Sequence, residues 1–420
     1  MLPDESDLQA HVFADFETFY SNFLAVPAAN PPRSLGRMTL RQEVPSTGVG
    51  GMAQWSKAFS GRQLFTAGTD WRWVDGDSNE DGLDTARGTT VTLHRISGGT
   101  QQSLGAFVQD TIGPTSNTQI TLGARVDHWR NYNAHRLETN VPSGTPTANN
   151  NPILPGRADS VVSPRAGMIY HVGRRFGVWG NVGTGFRAPT LNELYRQFSV
   201  GTVLTRANAL LGPERLVGWE AGINIAPARD VIVRASWFAN RITNPISNVT
   251  ISTVGANVTQ ERQNLGRTQV QGFQTDVEYR VGALWRVSGG YLFDYATVKE
   301  FAANVSLVGR SLPQVPKHRA SFRVAYANPT LVTVAVALRF IGMQFDDDRN
   351  VRTVPGYTTP GLPGFTVADL AVSRSLGLNV DLFFGVQNLT DEEYIVGTLP
   401  TTTGSPRLAN AGIRLRFSDR

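Results

Sequence analysis

Apolar and polar residues alternate one by one along most of the chain. Between Gln119 and His128, Ile120, Leu122, Ala124 and Val126 alternate with Gln119, Thr121, Arg125 and Asp127. Strand side chains point to opposite faces in turn, so this pattern predicts a sheet with one apolar and one polar face. It recurs at Phe176–Phe186, Val217–Ile225, Val332–Phe340, Leu378–Val386 and Ala411–Phe417. About 17 such segments are predicted, beginning near residues 9, 35, 49, 62, 99, 117, 160, 176, 213, 229, 266, 283, 315, 330, 363, 377 and 408. Their length of about 10–14 residues exceeds the usual globular strand and suits a tilted strand crossing a bilayer.

The connections sharpen this reading. Short turns are predicted at 59–62, 113–117, 172–175, 227–230, 280–283, 327–330 and 374–377. Long polar loops are predicted at 75–98, 130–159, 187–212, 242–266, 297–314, 344–362 and 390–407. Short and long connections alternate from residue 59 onward, which segregates them to opposite rims. The expected fold is an all-β, antiparallel up-and-down transmembrane β-barrel. A soluble propeller or solenoid would show a fixed repeat of about 20–50 residues, and none is visible. On this register Trp179, Asn181, Glu220, Asn224, Arg125, Asp127, Arg414 and Arg416 face the lumen. Val178, Val182, Ile223, Leu122, Val334, Leu382 and Leu415 face lipid.

Composition narrows the class further. Charged residues are 17% of the 420-residue chain, glycine numbers 42 and cysteine is absent. No run of about 18 apolar residues exists to make a membrane helix. The absence of cysteine excludes disulfides, thiolate zinc sites and thiol nucleophiles. The net charge is +5, but its basic residues are scattered singly, which argues against a nucleic-acid partner. The first seven residues are acidic and lack the apolar segment of a signal peptide.

Several segments, in order, resemble motifs of the TonB-dependent outer-membrane receptors. They are Ser163-Pro164-Arg165-Ala166-Gly167, then Gly183-Thr184-Gly185-Phe186-Arg187-Ala188-Pro189-Thr190-Leu191-Asn192-Glu193-Leu194-Tyr195, then Asn208 to Glu214 and Trp219-Glu220-Ala221-Gly222. Near the end come Gln387-Asn388-Leu389-Thr390-Asp391-Glu392-Glu393-Tyr394 and Pro406-Arg407. The resemblance is specific from about residue 159 onward. The motif residues Gly185, Phe186, Arg187, Pro189, Glu193, Leu194, Tyr195, Pro213, Glu214, Glu220, Asn388, Asp391 and Tyr394 are expected to be structural. The glycines of strand 183–185 should relieve crowding in the lumen, residues 191–198 should include one helical turn, and Pro213 should open the next strand. Asn388 and Asp391 suit a turn.

The resemblance implies a 22-stranded barrel with a signal peptide, a TonB-contacting box and a plug. None is recognisable here, so residues 1–420 are expected to be the barrel domain alone, N-terminally truncated and incomplete. On an odd strand count the first and last strands would run in the same direction. Residues Ser418-Asp419-Arg420 follow Phe417, where an aromatic terminus is usual for the family. The resemblance further implies Gram-negative outer-membrane localisation and TonB-dependent uptake of an iron–siderophore or similar nutrient. Its partners would be outer-membrane lipid and lipopolysaccharide, the TonB complex, and a small-molecule ligand. A passive porin and a structural or adhesive barrel are the alternatives.

Candidate chemistry is sparse. The histidines (11, 94, 128, 135, 171 and 318) show no metal-ligand spacing, and no Ser/His/Asp set or phosphate loop is evident. No enzyme activity or cofactor is expected. No histidine lies between Pro189 and Asn208, which disfavours haem as cargo within the family. Asp75, Asp77, Asn79 and Asp81 form a weak calcium candidate in an external loop, and 345–349 a weaker one. Tyr195, Arg196 and Arg206 are the loop candidates for contact with an anionic ligand.

Overall fold

The computed structural model describes all residues except 1–4, 27–30, 32–33, 329, 378, 399–400 and 418–420. The expectations at Leu378, at residue 329 in the predicted turn 327–330, and at Ser418 to Arg420 therefore fall outside the described residues. The wall opens with β1 (Asp7–Ala25), β2 (Arg37–Phe59), β3 (Gln63–Leu83), β4 (Val91–Thr115) and β5 (Thr118–Asn140). After the two-residue β6 (Thr145–Pro146) it continues with β7 (Arg157–His171) and β8 (Phe176–Arg187). The helix α1 (Leu191–Tyr195) and strands β9 (Phe198–Val200) and β10 (Val203–Arg206) fill the next loop. Then come β11 (Glu214–Ala228), β12 (Val231–Thr243), the loop hairpin β13 (Ile246–Val254) and β14 (Asn257–Asn264), β15 (Arg267–Val281) and β16 (Trp285–Glu300). The wall ends with β17 (His318–Asn328), β18 (Val332–Ile341), β19 (Phe365–Leu376) and β20 (Val380–Gln387), the loop pair β21 (Ile395–Thr398) and β22 (Thr401–Thr403), and β23 (Leu408–Leu415).

The main sheet has 17 strands, one of which is the short β6. Each long strand pairs antiparallel with the next long strand in sequence. This is the expected meander, and the α-helix it contains is five residues long. One boundary differs. The predicted starts at 35 and 49 belong to a single strand, β2. Pro45 lies inside it, paired with Thr18 of β1, while the β2–β3 ladder lapses between Glu43 and Ser46. Proline lacks a ladder donor, so the chain gives up pairing on one side there and continues.

That merger changes the polarity. Only residues 60–62 connect β2 to β3, whereas 26–36 connect β1 to β2. β1 therefore runs toward the long-loop rim and β23 away from it, opposite in direction rather than parallel as the odd count implied. Among the described residues β1 pairs only with β2, and β23 only with β20.

Two predicted loops also shrink. Strand β3 continues to Leu83 and β4 begins at Val91, so the loop expected at 75–98 is reduced to 84–90. Strand β5 runs to Asn140, so the expected loop at 130–159 contracts to 141–156. Asp84 closes the shorter connection by accepting from the N–H groups of Arg87 at 2.6 Å, Thr89 at 2.8 Å and Thr90 at 2.8 Å. Those donors, led by Arg87, hold its carboxyl far below the usual range.

Register fixes the faces. Asn181 opposes Glu220, and Trp179 opposes Gly222. Asn181 and Glu220 share an interior cavity with Gln109 and Arg165. Arg125 lies 2.6 Å from both Asp70 and Asp127 on that same face. Leu122, Val126, Val182, Leu382 and Leu415 are on the other, exposed face. No helix among the described residues is long and apolar enough to cross a membrane. Buried apolar side chains gather instead beneath the long loops, as Val249, Leu265, Val298, Phe301 and Leu307 in one cluster and Ala134, Leu194, Tyr195 and Leu211 in another.

Candidate functional site

The segment after β8 folds back against the inner face of the wall. Thr190 caps α1. Its hydroxyl accepts from Glu193 N–H at 3.2 Å, and Glu193 Oε2 accepts from Thr190 N–H at 2.8 Å. This reciprocal pair satisfies two otherwise orphaned donors and nucleates the short turn. Arg187 then binds in two directions. Its guanidinium donates to Glu193 at 2.8 Å and to Glu214 at 2.7 Å, joining the end of β8, the helix and the start of β11. Burial alone would raise the Glu193 carboxyl, but Arg187 and Thr190 outweigh it and hold it below the ordinary range.

Side chains from β3, β4 and β5 receive the segment. Gln101 Nε2 donates to Pro189 O at 2.9 Å. Leu194 and Tyr195 are buried, with Tyr195 at 0% exposure and its hydroxyl against Asn131. Burial pushes the Tyr195 phenol above its usual range. Arg196 Nε donates to Glu80 Oε1 at 2.6 Å, and Arg95 bridges Glu80 at 2.8 Å and Glu138 at 2.6 Å. From the far side, Arg262 Nη1 donates to Asn192 O at 2.5 Å and Arg196 O at 2.9 Å. A cavity of about 860 Å³ lies beside this brace, bordered by Arg72, Gln101, Asp127, Arg187, Asn192 and Arg196.

A second knot joins the remaining loops through three consecutive aspartates. Asp346 accepts from Thr398 N–H at 2.8 Å and from its hydroxyl. Asp347 accepts from the N–H groups of Arg349 at 3.0 Å, Val351 at 3.1 Å and Arg352 at 2.9 Å. Asp348 accepts from Thr250 N–H at 2.8 Å and its hydroxyl at 2.7 Å. Asn350 and Ser311 exchange bonds of 3.0 and 2.8 Å. The loops at 244–266, 301–317, 342–364 and 388–407 are thereby tied together around a cavity of about 820 Å³.

The sequence candidates distribute unevenly over this geometry. Tyr195 is internal and Arg196 is engaged by Glu80, so the structure makes both braces rather than free ligand contacts. Arg206 is exposed at the end of β10. Gly185 has open space around it, contrary to the crowding expected there. Pro213 immediately precedes β11, and Glu220 lines the lumen. Asn388 and Asp391 both adopt left-handed backbone, at φ 50 and 59, in the turn predicted for them. Asn388 Nδ2 donates to Glu392 O at 2.9 Å and Ser405 O at 3.0 Å, and Asp391 bonds Arg407. Tyr394 stacks on Phe365 at 4.1 Å between ring centres. Leu194 is buried within the brace, and Phe186 borders the cavity beside it.

The calcium candidates are corrected. Asp75, Asp77, Asn79 and Asp81 lie on extended β3, about 7 Å apart in succession on its outer face, and so cannot converge on one ion. Thr100 bonds Asp75, His135 lies 3.1 Å from Asp77, and His94 lies 3.0 Å from Asp81. No group of three or more His, Cys, Asp or Glu side chains suited to a metal occurs among the described residues. Glu80, Arg95, Asn131, Glu138 and Arg262 were missed as site residues. The alternation was the available signal for Glu80, because Ser78 and Glu80 fall on the opposite face from Asp77 and Asn79.

A long-stranded antiparallel meander, apolar outside and polar inside, with loops folded onto its inner face, is the wall of a membrane β-barrel. The family model "TonB dependent receptor-like, beta-barrel" matches residues 5–389, and the chain belongs to that family of transport receptors. Among similar curated proteins, the catecholate siderophore receptor Fiu of Escherichia coli K12 is 21% identical over 71% of this chain and 39% of its own length. The vitamin B12 transporter BtuB of Photobacterium profundum is 23% identical over 80% of this chain and 48% of its own length. The chain thus spans less than half of these relatives. Among solved structures, the copper transporter OprC superposes with a TM-score of 0.74 at 16% identity, covering 98% of this chain and 62% of that one. Closed Fiu from E. coli K12 gives 0.73 at 16% identity, with 99% and 62% covered. These likenesses establish the barrel fold, and the family places the chain in the Gram-negative outer membrane.

Proposed function

We propose that residues 1–420 form the barrel wall and ligand-facing loops of a TonB-dependent receptor importing an iron–siderophore or similar metal-chelate nutrient. The observation that carries this reading is the brace of residues 187–206 against the inner wall. It holds the segment over the lumen and leaves Arg72, Arg187 and Arg196 bordering a cavity large enough for a small chelate. The siderophore receptors among the relatives support this cargo class, and Arg72, which no ion pair holds among the described residues, is the border's cation available to an anionic ligand. The TonB complex supplies the energy in this reading, and no catalytic role is assigned to any residue.

The test is uptake of radiolabelled ferric siderophores by receptor-deficient cells expressing the protein, with TonB present or deleted. Uptake that requires TonB and falls at least about tenfold in affinity with Arg72→Gln supports the proposal. Uptake independent of TonB would instead favour the passive-channel reading.

A further inference from the structure

Arginines follow one another down the lumen face of β15 to β18. Phe322, Leu338 and Phe340 are exposed on the outer face of β17 and β18, so Arg319, Arg323 and Arg339 point inward. Tyr279 and Trp285 set the same alternation on β15 and β16, which turns Arg280 and Arg286 inward. Arg339 opposes Ser321, midway between Arg319 and Arg323 on the next strand. Arg323 in turn opposes Ser288, two positions above Arg286. Each position is thus the diagonal neighbour of the next, about 7–8 Å away. Arg319 opposes Leu292, so the series descends β16 from the level of Leu292 to Arg286, about 20 Å along the strand. There Arg280 stands directly opposite Arg286, beside the short turn at 282–284.

Like charges this close on neighbouring strands destabilise a sheet. Elsewhere on the lumen face the wall neutralises them: Arg125 holds Asp70 and Asp127, Arg234 lies 3.5 Å from Glu278, and Arg416 holds Asp381. In the descending series Arg319 lies 3.6 Å from Asp294, but Arg280, Arg286, Arg323 and Arg339 have no ion pair among the described residues. The neighbouring carboxylates are engaged. Glu278, diagonal to Arg286, is taken by Arg234, and Asp369, diagonal to Arg339, accepts from Asn388 N–H at 2.9 Å. All the arginines of the series are exposed. Its upper end follows Val315, which borders the cavity beneath the aspartate knot. A guanidinium recognises carboxylate and phosphate through paired N–H donors. Several weak sites in series let an anion enter and leave, where one tight site would hold it.

We propose that Arg319, Arg339, Arg323 and Arg286 form an anion track on the lumen wall, a series of weak sites for small solutes bearing carboxylate or phosphate groups. The track leads such solutes between the loop-side cavity and the short-turn rim, where Arg280 doubles the charge. It does not rest on the cargo reading, because it uses neither the cavity beside Arg72 nor the TonB complex.

The chain has no cysteine, so one introduced thiol reports the local potential. Ser321→Cys places it opposite Arg339, and Thr66→Cys places a control between the uncharged partners Ser56 and Gln109. The purified protein in detergent is treated with a sulfonate-bearing and a trimethylammonium-bearing methanethiosulfonate. The ratio of sulfonate to ammonium rates should be at least about tenfold higher for Ser321→Cys than for Thr66→Cys. Citrate and inorganic phosphate should slow the Ser321→Cys reaction. Adding R323Q/R339Q should abolish both effects, and adding R323K/R339K should keep the raised ratio. Equal ratios at the two positions would overturn the proposal with every arginine in place. So would the absence of protection by either anion. Protection by a polyglutamate peptide alone would assign the arginines to an acidic polypeptide and overturn the solute track.

Discussion

Arg196 Nε lies 2.6 Å from Oε1 of Glu80, a carboxylate with no exposed side-chain surface, across a separation of 116 positions in the chain. Four strand spacings, about 19 Å of wall, separate β3 from β8, whose loop carries the arginine. Removing Glu80 would leave Arg95 and Arg196 buried without it. Breaking one side of such a pair costs about 3–5 kcal/mol. Glu80→Ala should therefore lower thermal stability and expose residues 191–206 to hydrogen exchange. E80A/R196A should recover part of the loss, and a strictly additive double variant would disprove the coupling.

The Glu193 brace should be acid-sensitive. Its carboxyl titrates lower in the folded protein than in the unfolded chain, because Arg187 and Thr190 outweigh burial. Its contribution is complete above the unfolded value of about 4.3 and is lost as pH falls through the folded value. Hydrogen exchange at 190–196 should accelerate below about pH 4. Glu193→Gln should be weaker at neutral pH and flatter over the acid range.

The aspartate knot predicts coupled loops. Asp348→Ala strips Thr250 of both acceptors, and Asp346→Ala does the same to Thr398. Each should cost about 1–3 kcal/mol of loop docking. Deprotection should reach 246–254 in the first variant and 395–398 in the second. Loss confined to residues 342–364 would show that the knot does not join the loops.

The wall predicts a face-dependent response on one strand. Val277 lies on the exposed apolar face of β15. Gln274 lies on the lumen face beside Asp276. Val277→Arg should cost about 2–4 kcal/mol in folding into bilayers, and Gln274→Arg should cost much less. Equal losses would contradict the register.

By itself the sequence determined the meander, the faces and the rim carrying the long loops, because alternation and turn chemistry act over neighbouring residues. It also marked Arg187, Glu193, Asn388 and Asp391, whose partners or turns are largely local. It misplaced 75–83 and 91–98 as loop because polar and charged residues on an extended strand look like loop residues until paired strands fix their faces. It divided β2 at Pro45, since whether a missing donor ends a strand depends on the neighbour present. Tertiary structure alone decided that Tyr195 and Arg196 are internal, that Glu80 receives the loop, and that three aspartates hold separate segments. Those contacts join residues far apart in sequence, and only the curvature and register of the wall bring their side chains within hydrogen-bond range.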